Sequence, residues 1–181
     1  FFGNMEDEGC SLWNLNSDDE WFDDIISFSG DRSIIHRRTP DSGDNIITNF
    51  EDRIKIKGEN TYSLRGYIKT ENANDAMIGA RFYRSRCGSS IETEYTHPID
   101  GDSDWTEYFQ NIAVPEEADY IDLRMVSYPP ESGESTIYFD NVGLIEWEDW
   151  QNTDYNSLLP NDYYYYQIQS NSEVVHITIN E

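Results

Sequence analysis

At 181 residues the chain is long enough to bury a core, and one domain with a short appendage accounts for its length. Its net charge of -24, from 36 acidic against 12 basic residues, argues against nucleic acid or an anionic membrane surface as a partner, because both require concentrated positive charge. Hydrophobic residues make up 37% and mean hydropathy is -0.75, and no apolar run approaches the ~20 residues of a membrane helix.

Residues 1–9 (FFGNMEDEG) predict a first strand breaking into a turn. The stretch 13–28 carries Trp13, Trp21, Phe22 and Ile25 between acidic clusters, and predicts a short strand, an acidic loop and a second strand. SGDRSI (29–34) reads as a glycine turn into a strand ending near Arg38, TPDSGDN (39–45) as a loop, and 46–50 and 53–57 as short strands. From Asn60 to Trp147 apolar residues recur at every second position, the mark of half-buried strands. The segments are 61–70, 76–85, a stretch over 103–125 with a strand at 119–128, and 137–147 (IYFDNVGLIEW), separated by Asn, Gly, Pro and acidic turns. Alternation puts Tyr62, Leu64 and Ile68, then Ile78, Ala80 and Phe82, then Ile121, Leu123 and Met125 on inward faces. No helical period of useful length occurs, so the expected class is all-β.

After Trp147 the composition shifts. Residues 148–161 have linker character, and 162–169 (DYYYYQIQ) and 173–180 (EVVHITIN) around a Ser-Asn-Ser turn predict a β-hairpin. The expected organisation is a main body over 1–148 and a linker with hairpin, or the start of a next module, over 149–181. The chain opens at Phe1 without a charged leader, as expected of a module within a longer protein.

The basic residues are nine Arg and three Lys, all between Arg32 and Arg124, so an acidic shell surrounds an arginine-bearing middle. Pairing with neighbouring carboxylates is the ordinary fate of such residues. The two cysteines, Cys10 and Cys87, lack zinc spacing; a disulfide in a secreted protein and two free thiols both remain open.

The alternating strands of 60–147 and their final Asp-containing strand resemble the calcium-stabilised jelly-roll carbohydrate-binding modules, families four, nine and twenty-two and their relatives. The likeness covers nearly all of residues 3–148. It implies a two-sheet jelly-roll β-sandwich with the C-terminal hairpin as a tail. It also implies a structural Ca²⁺, an ion that takes six to eight hard oxygens. GNMEDEG (3–9) resembles the family's opening turn, with Met5 in the place of an aromatic residue and Glu8 as a second carboxylate nearby. SGDR (29–32) resembles its glycine turn, and YFDNV (138–142) its last strand. The resemblance carries over Glu6 and Asp140 as side-chain ligands, and Asn4, Ser29 and Arg32 as backbone-carbonyl ligands.

Related modules bind glycan chains across a concave sheet, stacking aromatic rings on sugars and bonding hydroxyls with planar polar groups. The outward faces of three strands here offer Arg65, Tyr67, Arg81, Tyr83, Arg124 and Tyr128, with Tyr95 and His97 at the loop edge. Each could equally cover a solvated sheet through cross-strand pairs. Three arginines on one face of so acidic a chain hint at an anionic polysaccharide. Trp13, Trp105, Trp147 and Trp150 are expected to pack, as is one of Trp21 and Phe22.

Catalytic motifs such as GxSxG, HExxH and the P-loop are absent, and His36, His97 and His176 stand apart from any recognisable Cys or Ser arrangement. With 36 acids a glycosidase pair can always be drawn, so drawing one decides nothing. The expectation is a non-catalytic module that holds a secreted glycan-degrading enzyme at its polymer, among neighbouring modules at or outside the cell surface. A structural or adhesive β-sandwich is the alternative, and a jelly-roll polysaccharide lyase using Arg81, Tyr83 and His97 stands behind it.

Overall fold

The computed structural model describes residues 5–6, 13–15, 17–43, 46–49, 53–58 and 60–147. Phe1–Glu148 forms one unit and Asp149–Glu181 another. The expected linker and hairpin, Trp150, His176, Cys10, the Asn4 ligand and all of the first strand but Met5 and Glu6 lie outside the described residues. Cys87 is exposed and its thiol is free.

Ten strands are described: β1 (Trp13–Asn14), β2 (Glu20–Asp23), β3 (Ser33–Arg38), β4 (Ile46–Asn49), β5 (Ile54–Lys55), β6 (Thr61–Tyr83), β7 (Ser90–Tyr95), β8 (Ile99–Ile112), β9 (Tyr120–Tyr128) and β10 (Ser135–Trp147). Every pairing is antiparallel, and the strands fall into two sheets. The first runs β2-β3-β10-β6-β8, and the second β1-β4-β9-β6-β7 with β5 beside β9. The inward residues expected from alternation form the core between them: Ile68, Ile78, Ala80, Phe82, Ile121, Leu123 and Met125 are fully buried, joined by Ile34, Ile137 and Phe139. Trp13 is buried in this core and Phe22 packs against it.

β6 departs from the two separate strands expected at 61–70 and 76–85. It is one continuous strand of 23 residues that belongs to both sheets. Its first half pairs with β10 and β8, and its second half with β9 and β7. The passage between sheets falls in Glu71-Asn-Ala-Asn-Asp75, where Asn72 and Asp75 adopt φ of 53° and 50° and the register to β8 shifts. Asn and Asp tolerate this left-handed region, and such bulges bend a strand without ending it. The amides freed at the bend are taken by side chains of β8: Asn72 N–H donates to Asp102 Oδ1 at 2.7 Å and Asp75 N–H to Asp100 Oδ1 at 2.9 Å.

Alternation on β3 also carries polar groups into the interior. Ile34, His36 and Arg38 share the inward face, and His36 and Arg38 are fully buried, with Glu20 of β2 and Ser127 of β9 beside them. Arg38 Nη1 lies 3.2 Å from His36 Nε2, and Ser127 Oγ 3.2 Å from His36 Nδ1. A guanidinium can only donate, so Nε2 accepts and Nδ1–H faces the serine. Burial, and then the Arg38 charge, push His36 down to about 3. With its ring neutral, the 3.6 Å approach to Glu20 Oε1 is not an ion pair.

Candidate functional site

The outer face of the second sheet gathers most of the expected ligand residues. Cross-strand register sets Gly79 opposite both Arg124 and Tyr95, Arg81 opposite Asp122, and Tyr83 opposite Tyr120. Gly79 is the pivot of this face. A Cβ there would stand 2.5 Å from the Tyr95 ring, so only glycine lets that ring lie across the strand toward Arg124. Arg124, only 9% exposed, donates its Nε–H to Asp122 Oδ1 at 3.0 Å and also hydrogen-bonds Tyr95. Burial works against its charge, but Asp122 and Tyr95 outweigh it and hold the pKa above the usual arginine value. Tyr128 closes the end of β9 and stands exposed, and His97 is exposed in the turn after β7.

Tyr83 does not serve as an open stacking platform. Its ring is buried beneath the Arg53 guanidinium, 3.3 Å from the ring centroid, and its hydroxyl is bound to Asp122. Burial first, then this hydrogen bond, raise its pKa. Tyr83 therefore orients Asp122, which in turn orients Arg124. The alternating pattern exposed neither Arg53 nor the role of Asp122, because both depend on pairing between strands distant in sequence.

Arg65 and Tyr67 are separated from this set. They lie on the first half of β6, so their outward side is the outer face of the other sheet. There Arg65 bonds Glu107 at 3.0 Å and the Tyr67 hydroxyl at 3.1 Å. Phe28 stacks on the Tyr67 ring at 3.6 Å between centroids, and Trp105 meets Phe28 edge-on at 6.0 Å. A face shared by all six strand residues would need β6 to stay in one sheet.

Tyr67 pairs in register with Asp140, and two further residues of the expected ion site, Glu6 and Ser29, lie near Asp140. Asp140 is 1% exposed; its Oδ2 accepts the amides of Phe28 and Ser29 at 2.9 and 3.0 Å, and its Oδ1 has no hydrogen-bond partner among the described residues. Glu6 Oε2 accepts the Asp31 amide at 2.8 Å. Gly30 has φ +66°, and a Cβ there would lie 2.3 Å from Glu6 Oε1, so both its backbone and the nearness of Glu6 demand glycine. Burial is the main cause of a raised Asp140 pKa, with the Glu6 charge adding to it against three backbone hydrogen bonds. Arg32 turns its side chain to Asp24, 2.6 Å away.

No family model and no curated protein matches the chain. Solved structures do. A family 16 carbohydrate-binding module superposes with TM-score 0.55 at 12% identity, over 74% of this chain and 89% of that one. The CBM22-1 xylan-binding domain from Paenibacillus barcinonensis Xyn10C gives 0.52 at 12%, over 81% and 92%. The fold is that of a carbohydrate-binding module. The same fold is embedded in larger proteins: the enzymatically active domain of bacteriophage CBA120 tailspike protein 4 matches with TM-score 0.61 at 14% identity, over 80% of this chain but 21% of that one.

The donor set at Asp140 fits the calcium that modules of this fold imply. An orphaned, fully buried carboxylate oxygen beside a second carboxylate is an arrangement that a hard cation would complete. Glu6 and Asp140 would hold the ion, and its charge would offset the repulsion between them.

Proposed function

We propose that the chain is a non-catalytic carbohydrate-binding module whose glycan lies against the outer face of the second sheet. The observation that supports this most directly is the Tyr95–Arg124–Asp122 network: an aromatic ring held flat by Gly79 beside a guanidinium whose direction is set by a carboxylate. A pyranose presents an apolar C–H face to such a ring and hydroxyls to such donors. The xylan-binding fold neighbour makes xylan the first polymer to try. Polysaccharides of this kind are extracellular, so the module acts outside the cell, raising the local concentration of an attached catalytic domain on the polymer. A calcium ion between Glu6 and Asp140 belongs to this reading as a structural clasp joining the start of the unit, the 28–31 turn and β10.

Affinity electrophoresis through soluble xylan, β-glucan and mannan tests the reading. Retardation on at least one polymer is expected, and Arg124→Gln is expected to weaken it about tenfold, the value of a hydrogen bond to a charged group. Migration unaffected by every glycan, with the protein folded, would leave a structural β-sandwich as the better account.

A further inference from the structure

The outer face of the first sheet carries rings that the core does not use. Phe109 of β8 and Phe28, in the turn before β3, are 54% and 44% exposed. Phe28 stacks one face on Tyr67, with centroids 3.6 Å apart and planes 11° from parallel, so its exposed area belongs to the opposite face. Trp105 stands edge-on to Phe28 at 6.0 Å and to Tyr138 at 6.4 Å. A second group lies further along β8. There Trp147 meets Phe109 at 6.5 Å, and its Nε1–H donates to Ser63 Oγ at 2.8 Å, which fixes the indole in place. Register keeps both groups on one face: Glu107 lies opposite Tyr67 and Phe109 opposite Arg65, and residues opposed in an antiparallel pair share a side. The strand's rise puts Trp105 and Phe109 roughly 14 Å apart along β8.

Polar groups occupy the space between the rings. Arg65 bonds Glu107 at 3.0 Å and the Tyr67 hydroxyl at 3.1 Å, and both members of the ion pair are partly exposed. Lys69 is matched by Asp104 at 3.2 Å. The basic groups that β6 sends to this face are thus each balanced by an acid, so the face holds no surplus positive charge for an anion. The centre of a protein interface is depleted of charge, whereas here an ion pair lies between the rings. Rings set along a strand, with fixed donors and acceptors between them, suit a polymer of pyranoses. The C–H faces would rest on Phe28 and Phe109 and the hydroxyls would meet Arg65 and Glu107. We propose that this face is a second glycan-binding surface, for a neutral polysaccharide. The inference goes beyond binding at the second sheet. Because the two surfaces lie on opposite sides of the sandwich, one copy of the chain ties two polymer strands together.

The probes are xylohexaose, cellohexaose and mannohexaose, each titrated into the full chain in a calorimeter. At least one of them is expected to fill two sites per chain. Phe28→Ala combined with Phe109→Ala should weaken one site about tenfold, the worth of the lost ring contacts, and leave the other unchanged. Arg124→Gln should do the reverse. Phe109→Ala alone serves if the double variant melts early, because that ring stands at the surface. A single site that Arg124→Gln weakens and the ring variants leave unmoved overturns the second surface while binding at the second sheet stands. Two sites that the ring variants both leave unmoved overturn it as well. A single site weakened by the ring variants alone upholds this surface and overturns the other. Absence of binding to all three hexasaccharides, and of retardation by their polymers, overturns both readings.

Discussion

Asp140→Asn is expected to reverse its effect on stability according to whether calcium is present. In chelator the ionised carboxyl of Asp140 is a burden: it is buried, it faces Glu6, and its folded pKa stands above the ordinary carboxylate value. For a group raised in this way, the stabilising protonated form is fully favoured below its unfolded pKa, and the contribution is lost as pH rises through the folded value. At neutral pH the neutral amide keeps an oxygen for the Phe28 and Ser29 amides and drops the charge. The variant should therefore melt at or above the wild type in chelator. With calcium at a hundred times its dissociation constant, the wild type gains about 2.7 kcal/mol, and the variant, lacking a charged ligand, gains far less. The wild type should then melt roughly 5–10 °C higher than in chelator. Thermal melts of both proteins in the two conditions decide it. A wild-type melting temperature indifferent to calcium removes the ion from this turn.

His36 governs the second large effect, on acid stability. Its ring is fully buried, accepts from Arg38 and donates to Ser127, so a second proton would meet the Arg38 cation without solvent to screen it. The folded pKa of about 3 lies below the ordinary 6.5, so the neutral ring stabilises the fold fully above pH 6.5 and loses that contribution as pH falls toward 3. The loss amounts to roughly 3 kcal/mol by pH 4.5. His36→Gln, which retains an acceptor and a donor but does not titrate there, should lower stability at pH 7 and flatten the slope between pH 6.5 and 4.5. Denaturant midpoints across that range report the slope directly. An unchanged slope in the variant would place the acid sensitivity in the carboxylates.

Much of this was legible in the alternation of side chains. Ile78, Ala80 and Phe82, and Ile121, Leu123 and Met125, fall inward as every second residue of a half-buried strand must. The resemblance placed Glu6, Ser29 and Asp140 in one neighbourhood, where the hydrogen bonds of the 28–31 turn bring them. What alternation does not report is which sheet a residue faces out from. ENAND (71–75) has the composition of a turn that ends a strand, yet two side chains of β8 satisfy the freed amides and the strand continues. That single difference moved Arg65 and Tyr67 to the opposite side of the sandwich. The buried Arg38 was signalled by its even spacing from Ile34, but an arginine at such a position is ordinarily read as solvated. Tyr83 was placed on the correct face and still lost its expected role, because Arg53, thirty residues earlier, covers it.

The shared strand also bears on how the unit comes apart. A sandwich whose layers are joined only by loops can shed one layer and keep the other. Here β6 is a central rung of both, flanked by β10 and β8 in one and by β9 and β7 in the other. Pulling it out of either layer strips hydrogen bonds from two neighbours and unseats the half held by two more, so the two layers melt as one cooperative event. A load applied at the Tyr83 end of β6 would be resisted by the ladders that its first half makes with β10 and β8.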